Sequence, residues 1–121
     1  DENLKYRKIT FYKNYFQDFF SKQPKKVKEK IIWTLDLVED LQGFLKLSET
    51  PREHDGLYEI RVQFGGDIFR IFCFFDEGQL VVLANGFQKK TQKTPKKEIE
   101  MALKIKAAYE NEMRSSHKNE N

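Results

Sequence analysis

Between residues 57 and 87 the apolar positions alternate, and before and after that stretch they recur every three or four residues. The chain therefore predicts a sheet flanked in sequence by helices. Residues 4–12 (LKYRKITFY) mix β-branched, aromatic and charged side chains and predict a first strand. In residues 14–22 the spacing of Tyr15, Phe16, Phe19 and Phe20 makes one apolar helical face. Gln23-Pro24 interrupts it, and Pro suits the first turn of a new helix. From Lys25 the stripe Val27, Ile31, Leu35, Val38 and Leu41 predicts a longer helix, with Trp33 and Leu37 off the stripe and Gly43 at its end. Two helices joined by so short a break predict an antiparallel helical hairpin.

Residues 45–55, with Pro51 among polar neighbours, read as a loop. In 57–64 (LYEIRVQF) Tyr58, Ile60, Val62 and Phe64 face one way, and Leu57, Glu59, Arg61 and Gln63 the other. Gly65-Gly66 is a two-residue hairpin signal. The nearly all-apolar run 67–75 (DIFRIFCFF) reads as a central strand. Asp76-Glu77-Gly78 closes a second hairpin onto strand 79–87, which completes an antiparallel three-strand meander. A basic loop, 88–97, follows. Thr94 is placed as N-cap and Pro95 as first helical residue of a last helix running to about Glu112. Residues 113–121 are polar and read as a disordered tail. The expectation is an α+β fold of order β-α-α-β-β-β-α in one domain, 1–112.

Composition narrows the function. The 121 residues include 11 Phe and 5 Tyr, far more aromatic than a disordered chain. The net charge is +3, but residues 86–106 hold seven lysines against two glutamates, so the remainder is slightly acidic. A basic patch on a nearly balanced protein calls for an anionic partner, nucleic acid first. The lone Cys73 excludes an intramolecular disulfide and fits a reducing cytoplasm. The start Asp1-Glu2-Asn3 is not a signal peptide, and no apolar run is long enough for a membrane span. No glycine-rich phosphate loop, paired-Cys motif or His/Cys cluster is present, so neither metal nor cofactor is expected.

Pairing about Gly65-Gly66 sets Arg61 opposite Arg70. Like charges directly opposed destabilise a ladder, so the arrangement asks for an anion, and guanidinium forks suit phosphate. Lys89 and Lys90 follow the last strand. Lys93, Lys96 and Lys97 continue the basic run towards a helix N-terminus, where backbone N–H groups also favour phosphate. His54, just before the meander, is placed to approach the same cleft. Glu59 shares a face with Arg61 and is the best-placed carboxylate for a general base, or for an ion pair with Arg61. Cys73 reads as core.

The stretches HDGLYEIRV, GDIFRIFCFFDEG and LANGFQKKTQKTPKKEIEMALKIKAAY together resemble the phage-derived Gp49-like proteins, of the HigB branch of the RelE/ParE toxin superfamily. The resemblance implies a RelE-like fold with the helical hairpin on one face of an antiparallel sheet and the last helix near its other end. It implies the toxin of a type II toxin–antitoxin pair that cleaves mRNA in the ribosomal A site, with a helix-turn-helix HigA-like antitoxin as partner, no membrane and no small-molecule cofactor. It carries the family's strand cation onto Arg61, its cleft arginine onto Arg70, and its later basic residues onto Lys89 and Lys90. The His or Tyr that superfamily nucleases often carry near the chain end has no clear counterpart here. The competing expectations are a non-enzymatic ParE-like gyrase poison, or an inactive module bound to a regulatory antitoxin.

Overall fold

A computed structural model of the chain describes residues 6–40, 46–47 and 56–119. The elements are β1 (Lys8–Phe11), α1 (Tyr15–Ser21), α2 (Lys25–Asp40), β2 (Lys46–Leu47), β3 (Tyr58–Phe64), β4 (Asp67–Phe75), β5 (Leu80–Lys89) and α3 (Lys96–Asn119). The architecture is α+β. Its sheet runs β1-β5-β4-β3-β2, with β1 parallel to β5 and the other pairs antiparallel.

The meander forms as its alternation predicts. Gly65 takes φ +59°, which a two-residue hairpin needs and an L side chain resists. Two differences from expectation concern the sheet edges. The segment read wholly as a loop contains β2, a two-residue strand that extends the sheet beyond β3. The first strand docks parallel on β5, so the sheet is mixed rather than antiparallel. The chain between these two parallel strands runs through both helices and the three other strands, well beyond the dozen or so residues that parallel pairing requires.

Each face of the sheet carries its own core. On one side Phe16 and Phe19 of α1 and Val27, Ile31 and Val38 of α2 close over Ile60, Val62, Phe69, Ile71, Val81 and Leu83. The break between these helices is where the sequence puts it: the Pro24 carbonyl accepts from Lys28, while the Gln23 side chain donates back to the Phe19 carbonyl. Both helices pack on the sheet more than on each other, α1 on β5 and α2 on β3. Trp33, off the apolar stripe, is half exposed. The predicted stripe's last residue, Leu41, and Gly43 lie outside the described residues.

On the opposite face, Ile99, Ala102, Ile105 and Tyr109 of α3 cover Leu57, Phe72, Phe74, Val82 and Ala84. The last helix therefore lies across the second face and not merely at the end of the sheet. It also continues past Glu112 to Asn119, so residues 113–119 are helical where their polarity predicts a disordered tail. Met113 continues the apolar stripe four residues after Tyr109 and packs on this second core. Tyr12 donates to Glu112 at 3.0 Å and Tyr109 to Asp76 at 2.5 Å, tying the helix to the sheet at two further points. At its start, the Pro95 carbonyl accepts from the Glu98 and Ile99 amides, so Pro95 stands just before the helix rather than as its first residue.

No helix among the described residues is long and apolar enough to cross a membrane.

Candidate functional site

The site arises where α3 stops covering its face of the sheet. In an antiparallel ladder, directly paired residues project to the same side. Leu57, Phe72, Phe74 and Val82 project towards α3 and are buried there. Glu59, Arg61 and Arg70 belong to that same face, on the strand segments that run out beyond the helix. Arg61 pairs with Arg70 directly, as the hairpin register predicts.

Lys89 joins them through a feature that alternation does not reveal. Between the pairs Ile71↔Gly86 and Cys73↔Leu83, β5 has one residue more than β4. This bulge at Ala84-Asn85 shifts the alternation of everything after it. Without the extra residue Gly86, Gln88 and Lys90 would continue the face begun by Val82 and Ala84. With it, Phe87 lies opposite Arg70 and Lys89 opposite Ile68, on the face of the arginines. Strand β5 also runs two residues further than its sequence pattern predicts, so Lys89 is a strand residue with a fixed direction.

The bulge is held from two sides. Asn85 Nδ2 donates to both the Glu98 carbonyl and Glu98 Oε1, each at 3.1 Å, which ties the bulge to the first turn of α3. Gly86 lies against Phe19 of α1 so closely that a Cβ there would sit 2.5 Å from the ring. Phe87 stacks on Phe72, centroids 5.8 Å apart, beside Arg70.

The result is a cleft of about 480 Å³ lined by Arg61, Ile68, Arg70, Lys89, Lys90, Thr91 and Gln92. All four cations chosen from the sequence meet in it. Arg70 Nη1 is 3.0 Å from Glu59 Oε1, with the arginine side chain 19% and the glutamate side chain 5% exposed. Arg61, Lys89 and Lys90 have no carboxylate partner among the described residues. The cleft therefore presents three uncompensated cations and a fourth that is anchored from beneath. Among the described residues no carboxylate, histidine or tyrosine lines it. Glu59 is buried under the cleft rather than in its wall, and its ion pair is with Arg70, not with Arg61.

Other residues singled out from the sequence are placed elsewhere. Lys93, Lys96 and Lys97 are exposed and do not line the cleft. His54 lies outside the described residues. Cys73 is fully buried, and burial pushes its thiol well above the ordinary range, so no thiolate is available at neutral pH. Among the described residues no cluster of His, Cys, Asp or Glu could hold a metal ion. Sequence reasoning missed Thr91 and Gln92, which line the cleft from the loop after β5. Their position beside Lys89-Lys90 was the available signal. Thr91 Oγ1 donates to the Lys93 carbonyl at 2.8 Å, a local side-chain-to-backbone bond within this loop.

A family model described as "Phage derived protein Gp49-like (DUF891)" matches residues 18–107. The matched span runs from α1 into α3 and contains Glu59, Arg61, Arg70, Lys89 and Lys90. No curated protein matches the chain.

Proposed function

Since the chain belongs to the phage-derived Gp49-like family, we propose that it is the toxin of a type II toxin–antitoxin system and acts as an mRNA endoribonuclease on ribosome-held message. The observation that carries this reading is the convergence of Arg61, Arg70, Lys89 and Lys90 in one open cleft, where only Arg70 has a carboxylate partner among the described residues. Such a cleft fits a phosphodiester. A single-stranded RNA threaded across it would meet cations from β3, β4, β5 and the loop after β5.

In the reaction the ribose 2′-hydroxyl gives its proton to solvent water as its oxygen attacks the adjacent phosphorus. The bond from phosphorus to the 5′-oxygen breaks, leaving a 2′,3′-cyclic phosphate and a 5′-hydroxyl. Negative charge grows on the non-bridging oxygens as the 2′-oxygen approaches. Arg61 and Arg70 are the clamps for that charge, a kind of stabilisation worth about 3–4 kcal/mol per well-placed donor. Lys89 and Lys90 hold the phosphate and are the nearest groups able to pass a proton to the leaving oxygen. Lys93, Lys96 and Lys97, outside the cleft, contribute long-range attraction to the backbone. The partner that silences the toxin is a helix-turn-helix HigA-like antitoxin, and the setting is the cytoplasm.

Primer extension on a defined mRNA, with and without programmed ribosomes, tests the reading. Cuts that require ribosomes are the expected result. Cuts without them would make this a free ribonuclease. No cuts from folded protein would overturn the nuclease reading and leave a gyrase poison or an inactive antitoxin-bound module.

A further inference from the structure

Glu59 is the one carboxylate at the site among the described residues, and its geometry argues against general-base work. A base must come within about 3 Å of the proton that it takes. Glu59 is 6% exposed and does not line the cleft. It lies diagonally across the ladder from Arg70, because it pairs with Phe72 while Arg70 pairs with Arg61. That diagonal is within reach of two long side chains.

The arginine's own atoms give the contact a direction. Nη1 is held by Glu59, and Nε is enclosed with no hydrogen-bond partner among the described residues. Nη2 is neither bonded nor enclosed, and Arg70 lines the cleft, so Nη2 is the nitrogen left for a ligand there. A free arginine side chain has many rotamers, and ordering it at the moment of reaction costs rate. A buried carboxylate on Nη1 removes that cost in advance.

Resting on the nuclease reading, we propose that Glu59 is a positioning residue that acts through Arg70, fixing the guanidinium so that its free edge meets the phosphate. It takes no proton from the substrate.

The test is a double-mutant cycle of Glu59→Gln and Arg70→Gln on the full chain. Glutamine at position 59 keeps an acceptor for Nη1, and the double variant leaves a neutral pair. The first readout is affinity for an oligoribonucleotide with every 2′-oxygen methylated, which binds but cannot react. The second is the cleavage rate against pH. Expected is a loss of about 10-fold for Glu59→Gln, the size seen when a residue orienting a functional group is removed. In the Arg70→Gln background no further loss should occur, and the pH–rate profile of Glu59→Gln should keep its shape.

Losses that multiply in the double variant, or an acidic limb that vanishes with Glu59→Gln, would make Glu59 act on substrate directly and overturn the proposal. Thermal melting is measured first. If Glu59→Gln does not fold, Glu59→Asp, which keeps the charge but withdraws it by one methylene, replaces it in the same cycle. The binding arm does not need cleavage. A chain that binds the oligonucleotide but cuts nothing would remove the nuclease reading while the cycle still decides whether Glu59 works through Arg70. Equal binding and equal cleavage by wild type and Arg70→Gln would overturn the proposal, since Glu59 could not then act through Arg70.

Discussion

Arg61 and Arg70 face each other across one ladder, yet their surroundings make them unequal. Arg61 is exposed and without a carboxylate partner among the described residues, so its removal leaves no buried group stranded. Arg61→Ala should change stability by less than about 0.5 kcal/mol, and relieving its like-charge opposition to Arg70 could even raise it. Arg70→Ala removes one partner of a buried glutamate and should cost about 2 kcal/mol. Both variants should lose RNA cleavage and growth arrest. Urea denaturation of each, beside the cleavage assay, separates the two effects. An Arg61→Ala protein that is fully stable and fully active would exclude Arg61 as a clamp. The residue scale also explains the choice of arginine over lysine. A lysine at 70 could neutralise Glu59 or reach the cleft, but its single ammonium lacks a fork that does both at once.

At the scale of elements, the bulge in β5 decides what the cleft contains. One extra residue turns Lys89 to the face of the arginines, and Asn85 and Gly86 hold that residue in place against α3 and α1. Gly86→Ala drives a methyl into the buried Phe19 ring, which Phe16 and Phe69 flank. The expected cost is about 2 kcal/mol, read from the denaturation midpoint. A stability unchanged by this substitution would mean that α1 and β5 are not packed as described. Helix α3 is tied to the sheet by Tyr109, whose hydroxyl donates to Asp76. Burial and that carboxylate push the Tyr109 pKa up to about 12 from an ordinary 10.0. Tyr12, beside Glu112, is shifted in the same direction. Because the folded state holds these protons more tightly, their contribution is complete below pH 10 and is lost as pH rises from 10 towards 12. Stability measured across that range should fall, and Tyr109→Phe should flatten the fall. A fall of the same steepness in Tyr109→Phe would place the anchor elsewhere.

The whole molecule carries a modest net charge with a local concentration of lysine, and that distribution sets how it should meet RNA. Each phosphate contact to a single strand contributes about 0.7 to the slope of log affinity against log salt. Replacing Lys89 and Lys90 together by alanine should lower that slope by about 1.4, with the fold unchanged because neither side chain is buried. Replacing Lys93, Lys96 and Lys97, which lie outside the cleft, should weaken binding less per residue. A slope unaffected by the Lys89/Lys90 pair would remove both from the phosphate contacts.

Much of this architecture is local, and so was legible along the chain. Period two with the Gly65-Gly66 and Asp76-Glu77-Gly78 turns is enough for the meander, since the two-residue turn fixes register and places Arg61 opposite Arg70. Period 3.6 with a Gln-Pro break is enough for α1 and α2. The stripe that ends on Met113 was also present in the sequence, where the polar composition around it concealed the continuation of α3. The rest depended on contacts between segments far apart in the chain. Parallel docking of β1 on β5, and α3 lying across the second face, are choices among surfaces that the sequence leaves equally apolar. The β5 bulge is invisible to alternation because Ala84, Asn85 and Gly86 are all small. Only the hydrogen bonds to Glu98 and the close approach of Phe19 select it. Glu59 shares its strand face with Arg61 at a spacing that suggests a pair, yet it bonds to Arg70, because a diagonal neighbour across the ladder is equally near. The sequence by itself determined which cations and which strands; the tertiary structure decided that Lys89 turns to meet them and that Arg70 rather than Arg61 is anchored, because both depend on cross-strand and helix–sheet geometry that no single segment contains.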